Sequence, residues 1–287
     1  MNWGLQDVRL TRGHAIALAG VTVPVDAGRI TVIVGGDGAG KTSCLQVLAG
    51  LAEPGSGSVC RPARERIGYV PATTGLYADL TIAENLDFIA RAYRLPHADY
   101  QRKADELLDL TGLAGARGRL GGHLSGGMQR KLAVVMALLH APELLILDEP
   151  TTGVDPVSRA ELWRLITRTA AEGTAVAVAT TYVNEAARAA HVVLLEAGTV
   201  VASGTPNDIL RGIPGALGTA RTADRPSPLS WRRGAIWRVW APAGTLPDGV
   251  RAVEPDFHDA VVAATLASER ASRAGHAGPD GPTERGR

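Results

Sequence analysis

Hydrophobic and polar positions change rhythm several times along the chain, and each change predicts an element. From Val8 to Val25 they alternate, which predicts short strands with a turn at Gly20, and Thr31-Val32-Ile33-Val34 is an uncharged run of strand length ending in glycines. The spacing then predicts a helix over Thr42 to Leu51, a turn at Gly55-Ser56-Gly57, and a strand at Ile67-Gly68-Tyr69-Val70 stopped by Pro71. Between Ile82 and Leu113 the apolar positions Leu86, Ile89, Ala90, Tyr93, and then Leu107, Leu108 and Leu110, recur at helical intervals. Pro96 splits this helical insertion in two. Met128 to His140 reads as a helix and Leu144 to Leu147 as a buried strand. After these come a helix over Arg159 to Ala171, a strand over Ala175 to Thr180, and a short helix over Glu185 to Ala190. Val192 to Ala202 reads as a hairpin turning at Ala197-Gly198. Such alternation argues for an α/β class built on a mostly parallel sheet flanked by helices.

Beyond about residue 212 the texture becomes short strands punctuated by Pro and Gly, with Trp231, Trp237 and Trp240, then a helix near Asp259 to Ala267. Burial in a small sheet is the expected fate of these tryptophans. The expected organisation is a main domain over 1–212, a small α+β extension over 213–267 and a disordered polar tail over 268–287.

Composition narrows the function classes. The 287 residues suffice for a sizeable core, and 30 basic against 29 acidic side chains leave no long-range field for nucleic acid or anionic lipid. Cys44 and Cys60 lack metal-ligand spacing, so a reduced compartment is expected. No apolar run reaches 18 residues and the N-terminus lacks a signal-peptide pattern, so neither secretion nor a membrane span is expected. Only Lys41, Lys103 and Lys131 are lysines, which makes each worth inspecting.

Lys41 stands in Gly35-Gly36-Asp37-Gly38-Ala39-Gly40-Lys41-Thr42, a match to G-x-x-x-x-G-K-[ST] lying between a predicted buried strand and a helix start. Glycines let backbone N–H groups converge on a nucleotide's phosphates, and the helix N-terminus, which continues into Ser43, adds positive potential. Lys41 reaches the terminal phosphates and Thr42 can ligate Mg²⁺. Leu144 to Leu147 deliver Asp148 and Glu149 to a strand end, a metal carboxylate beside a base for water. A third element, Leu124-Ser125-Gly126-Gly127-Met128-Gln129-Arg130, offers an N-cap serine and two glycines with open backbone donors, a second phosphate-binding surface.

With this third element the chain resembles the ATP-binding subunits of ABC transporters. The resemblance covers about residues 5 to 212 in the family order: phosphate loop, signature, Asp-Glu strand, then Thr152-Gly153-Val154-Asp155 matching the D-loop. The stretch from Gly75 to Asn85 and the tail around Glu254 to Leu266 resemble the drug-exporter branch. The fold this implies is a P-loop NTPase with a RecA-like core, an antiparallel β subdomain, a helical signature subdomain and a small C-terminal extension. The cofactors implied are ATP and Mg²⁺. Lys41, Asp148 and Glu149 are the implied catalytic residues, with Thr42 and Asp148 on the metal. The nucleotide would be bound by Gly35 to Ser43, by Ser125, Gly126 and Gly127 of the opposite subunit, by Asp155 and by Thr181. The implied partners are a separate transmembrane permease and a second ATPase subunit, and no nucleic acid. The implied location is cytoplasmic, peripheral on the inner face of the membrane through the permease.

Three positions depart from that family. After Pro71 the expected glutamine is Ala72, whose methyl group neither ligates nor hydrogen-bonds, and the switch histidine after Ala179-Thr180 is Thr181, an uncharged hydroxyl. The adenine-stacking aromatic before Ala17 is absent, leaving Arg12 or His14 to stack less well. These departures leave open a homodimer that hydrolyses slowly, a heterodimer with one slow site, and a regulatory subunit that barely hydrolyses. Coiled-coil chromosome-organising relatives and tandem ribosome-associated ones are disfavoured, since the helical region has no sustained heptads and 287 residues are too few for two such units.

Overall fold

The computed structural model describes residues 2–221 and 227–276. Two compact units divide the chain, Met1–Val200 and Val201–Arg287.

The first unit opens with two long antiparallel strands, β1 (Asn2–Arg12) and β2 (Ala15–Asp26), joined at Gly13-His14 rather than at Gly20. Gly20 lies inside β2 with φ of +87°. The pairing steps from Val8↔Val21 to Arg9↔Ala19 there, so the glycine is the extra residue of a β-bulge and the strand continues through it. β3 (Ile30–Val34) follows, then α1 (Lys41–Leu48). The helix stops short of the expected Leu51 because Gly50 turns left-handed, at φ +72°. The expected turn at Gly55-Ser56-Gly57 runs into a strand, β4 (Ser56–Cys60), which pairs with β1 and completes a three-stranded sheet in the order β2-β1-β4.

β5 (Ile67–Val70) leads to the helical insertion, α2 (Ile82–Ala92) and α3 (His97–Leu110). Thr81 and Glu84 form a capping box at the head of α2. The buried Asn85 side chain accepts from the Tyr77 N–H at 3.0 Å and donates to the Tyr77, Leu80 and Thr81 carbonyls, so the exporter-like stretch 75–85 is locally self-fastened. α4 (Gly126–Leu138) begins earlier than the expected Met128 because Ser125 caps it: its hydroxyl accepts from the Met128 N–H at 3.3 Å. Then come β6 (Leu144–Asp148), α5 (Pro156–Ala171), β7 (Ala175–Thr180), the single-turn α6 (Val183–Ala186), β8 (His191–Glu196) and β9 (Thr199–Gly204). The six-stranded sheet runs β5-β6-β7-β3-β8-β9, with its first five strands parallel. Every residue of β3, β6 and β7 is buried, as strands covered on both faces require. The core that packs α1 against this sheet joins Leu45, Leu48, Ile33, Ile146 and Val193 to Val21 and Val23 of β2.

The second unit holds α7 (Pro206–Arg211), β10 (Ala216–Ala220), β11 (Ser230–Arg233), β12 (Ile236–Ala241), β13 (Arg251–Ala252) and α8 (Phe257–His276). Its sheet is ordered β11-β12-β10-β13, and Leu217, Trp240 and Ala263 form its core. Trp240 is buried and its indole N–H donates to the Pro214 carbonyl at 2.8 Å, while Trp231 and Trp237 are half-buried. Two expectations need correction. The boundary lies near residue 200 rather than 212, because α7 packs on α8 within this unit. Residues 268–276, expected to be disordered, continue α8, whose Ala-rich run favours helix once Ala260, Val261 and Ala263 are buried. Residues 277–287 of the expected tail lie outside the described residues.

Candidate functional site

The phosphate loop leaves the C-terminal end of the central strand β3 and enters α1. Gly40 caps the helix at φ +103°, and a Cβ there would lie 2.7 Å from the Ala17 carbonyl oxygen, so the position accepts only glycine. No side chain caps α1 and no acidic residue sits in its first turn, which leaves its leading N–H groups for an external anion. Ala17, the loop from Asp37 to Ser43 and Glu149 line a cleft of about 270 Å³. A larger cavity of about 470 Å³, lined by Trp3, Leu107, Leu165 and Thr174 among others, holds none of the candidate site residues.

Lys41 is 6% exposed. Its ammonium donates to the Gly35 and Gly36 carbonyls at 2.9 and 3.0 Å and lies 3.4 Å from Glu149 Oε1. Glu149 adopts a left-handed backbone, φ +49°, which a side chain rarely tolerates and which occurs here one residue past the end of β6. The Glu149 N–H donates to the Ala179 carbonyl at 3.0 Å, and the Thr152 hydroxyl donates to Glu149 Oε2 at 2.8 Å.

Asp148 ends β6 and is 1% exposed, and among the described residues neither carboxylate oxygen has a partner at ordinary hydrogen-bond geometry. Burial pushes its pKa up. The approach of the Thr42 hydroxyl pulls it partly back, the neighbouring Glu149 carboxylate pushes it further up, and the Lys41 and Arg130 charges pull it down again. A buried, unpaired carboxylate beside the Thr42 hydroxyl fits a hard divalent cation, which would supply the missing partner.

Ser125 and Gly126 are exposed, and Gly127 is buried. A Cβ on Gly127 would lie 2.8 Å from Ser158 Oγ and 3.1 Å from Asp155 Oδ2, so the signature's second glycine permits close contact with the start of α5. Asp155 itself caps α5, accepting from the Val157 and Ser158 N–H groups at 3.0 Å each. Ala72 and Thr181 are both exposed, the first after β5 and the second after β7. Arg12 is held by α1, donating to Ser43 Oγ at 3.3 Å and to Gln46, while His14 is exposed at the β1–β2 turn.

Two residues escaped the sequence reading. Glu185 is 2% exposed and accepts from the hydroxyls of Thr151, at 2.6 Å, and Thr180, at 2.8 Å, tying the segment after Glu149 to the one before Thr181. Its only signal was a carboxylate within a stretch rich in alanine. Arg130 is 9% exposed and donates to three carbonyls around Ala72, contacts between positions 57 to 59 residues apart that no local pattern discloses.

Residues 18–152 match the ABC transporter family model. The chain is 38% identical over 209 residues to the probable multidrug ABC transporter ATP-binding protein YbhF of Escherichia coli, covering 69% of this chain but 36% of that protein. It thus spans little more than a third of that relative's length. It is 32% identical over 217 residues to the Nod factor export ATP-binding protein I of Cupriavidus metallidurans, covering 72% of each chain. A solved structure of an ATP-binding subunit of an ABC transporter superposes with a TM-score of 0.68 at 32% identity, over 74% of this chain and 92% of that one. Among the described residues no helix is long and apolar enough to cross a membrane.

Proposed function

This chain belongs to the ABC transporter ATP-binding proteins, and from that premise we propose that it binds ATP with Mg²⁺, hydrolyses it, and couples the cycle to export through a separate permease. The observation that carries this reading is Asp148, a buried carboxylate beside Thr42 with no partner at ordinary hydrogen-bond geometry among the described residues, next to a loop whose helix N-terminus has no side-chain cap.

Thr42 and Asp148 would hold Mg²⁺, which when bound neutralises charge on the terminal phosphates. Lys41 would exchange its two loop carbonyls for phosphate oxygens, and its ion pair with Glu149 would loosen. The freed Glu149 carboxylate, steadied by Thr152, would orient the attacking water and accept its proton. Gly35 to Ser43 would cradle the phosphates, and Thr181 would donate a hydroxyl hydrogen bond. Ser125, Gly126 and Gly127 would complete the site of a facing subunit, with Asp155 fixing the start of α5 against that signature. The experiment is phosphate release by the purified chain and by its complex with a permease. Glu149→Gln should bind ATP yet release phosphate about 10² to 10⁴ times more slowly. Full turnover in that variant removes the proposed base.

A second reading is favoured by the exposed Ala72, whose methyl group neither ligates nor hydrogen-bonds, and by the exposed Thr181, whose hydroxyl carries no charge. On it the chain holds ATP in a slow site and completes a faster one on a partner ATPase. In the reconstituted complex, Ser125→Arg would then stop turnover and Glu149→Gln would not. The opposite pattern refutes it.

A further inference from the structure

The cavity of about 470 Å³ lies away from the nucleotide site. Its wall includes Pro142 and Glu143 just before β6, and Gly173 and Thr174 just before β7, whereas Asp148 and Thr180 mark the opposite ends of those strands. Ligands of open α/β sheets sit outside the carboxyl ends of the strands, so the groups described above leave this end unused. The volume falls within the range of about 300 to 1,000 Å³ typical of small-molecule sites.

Four elements wall the chamber: β1 supplies Trp3, α3 supplies Leu107, α4 supplies Leu138 and α5 supplies Leu165. The three leucines are buried and the indole is half-buried, so the lining is chiefly apolar. Charged side chains border it as well, and they satisfy one another. Glu106 lies 2.8 Å from Arg168 and 3.5 Å from Lys103, Glu172 lies 2.8 Å from Arg168, and Glu143 pairs with Arg66. With every carboxylate matched by a cation, the rim presents no net charge to an occupant. Two lining hydroxyls differ in their satisfaction. That of Thr174 donates to the Pro142 carbonyl at 3.3 Å. Thr169 is 6% exposed, and its hydroxyl has no hydrogen-bond partner among the described residues. A buried hydroxyl left without a partner costs free energy that an occupant with a matching polar atom would restore.

We propose that this chamber binds an uncharged, largely apolar small molecule carrying one hydrogen-bonding group, which the Thr169 hydroxyl meets. The proposal stands apart from the nucleotide reading and does not rest on it. An ionic ligand is disfavoured, because its charge would lose hydration against the apolar lining and find the rim charges already paired. The occupant would touch α3 and α5 together, and so bridge the helical insertion to a helix that packs on the parallel sheet.

The test uses the full-length chain with methyl-labelled leucines, titrated separately with 1-octanol, octanoate and octylammonium, which share a chain and differ in head-group charge. 1-Octanol should shift the Leu107, Leu138 and Leu165 methyl resonances saturably and leave those of Leu217 in the second unit unchanged. Octanoate and octylammonium should bind at least about tenfold more weakly. 1-Hexanol should bind about 15-fold more weakly than 1-octanol, at about fourfold for each methylene no longer buried. Thr169→Val keeps the side-chain shape and removes the hydroxyl. It should weaken 1-octanol binding by about 3- to 10-fold, yet leave the melting midpoint of the free protein unchanged or higher, since no internal hydrogen bond is lost. Absence of a saturable shift at the three leucines overturns the inference, as does binding of octanoate or octylammonium as tight as that of 1-octanol. Undiminished 1-octanol binding in Thr169→Val overturns it too. Should that variant fail to fold, the head-group series in the wild type decides alone.

Discussion

Glu185 offers a sharp test of how the site is braced. Among the described residues its carboxylate is the sole acceptor for two buried hydroxyls, Thr151 at 2.6 Å and Thr180 at 2.8 Å, and all three residues are at most 2% exposed. Glu185→Leu leaves both hydroxyl donors buried without an acceptor, at about 1 to 3 kcal/mol each, while relief of carboxylate desolvation offsets part of the loss. A net fall of about 2 to 4 kcal/mol is expected, which for a unit of some 200 residues is roughly 4 to 16 °C in the calorimetric midpoint. Glu185→Gln keeps one carbonyl oxygen and should lose only about 1 kcal/mol. The decisive variant is Glu185→Leu with Thr151→Val, which removes one orphaned hydroxyl and should regain about 1 to 3 kcal/mol. If Glu185→Leu melts within about 1 °C of wild type, or Thr151→Val lowers the midpoint equally in both backgrounds, the hydroxyls are not bridged as described.

Other outcomes follow from the same geometry. Asp148→Asn should keep the fold and ATP binding but lower Mg²⁺-dependent turnover by about 100-fold or more, checked by phosphate release against Mg²⁺ concentration. Gly127→Ala places a methyl group 2.8 Å from Ser158 Oγ and should destabilise the first unit by about 1 to 3 kcal/mol, read by calorimetry, with partial relief from Ser158→Ala. Asp155 has its pKa lowered chiefly by the Ser158 N–H and hydroxyl. Its contribution to stability is therefore present above the unfolded value of about 3.9 and is lost as pH falls through the lower folded value. An acid titration of the melting midpoint should lose that component in Asp155→Asn, and an unchanged acid limb would contradict the cap.

Legibility followed the range of the determining contacts. The β7 bounds agree with the sequence reading, and β6 extends it by one residue, because a run buried on both faces is apolar throughout and needs no partner to be recognised. The placement of the Gly35–Thr42 stretch between a strand and a helix was equally legible, since glycines at fixed spacing mark such a junction. Gly20 misled because the same left-handed tolerance serves a turn or a bulge, and only the Val8↔Val21 and Arg9↔Ala19 pairs distinguish them. The polar run Ser56–Cys60 became a strand because β1 offered an edge.

By itself the sequence determined where the glycine loop, the acidic pair and the Leu124–Arg130 stretch lie and their order, because each is a short stretch recognised by residue type and local spacing. Tertiary structure decided which of these groups meet: Lys41 with Glu149, Gly127 with Asp155 and Ser158, Glu185 with two threonines, and Arg130 with the backbone at 71–73. Those contacts arise where the strand order brings β5, β6, β7 and β3 side by side from distant parts of the chain. The strength of a buried charge depends on what surrounds it in space, and the linear order of residues carries no measure of that.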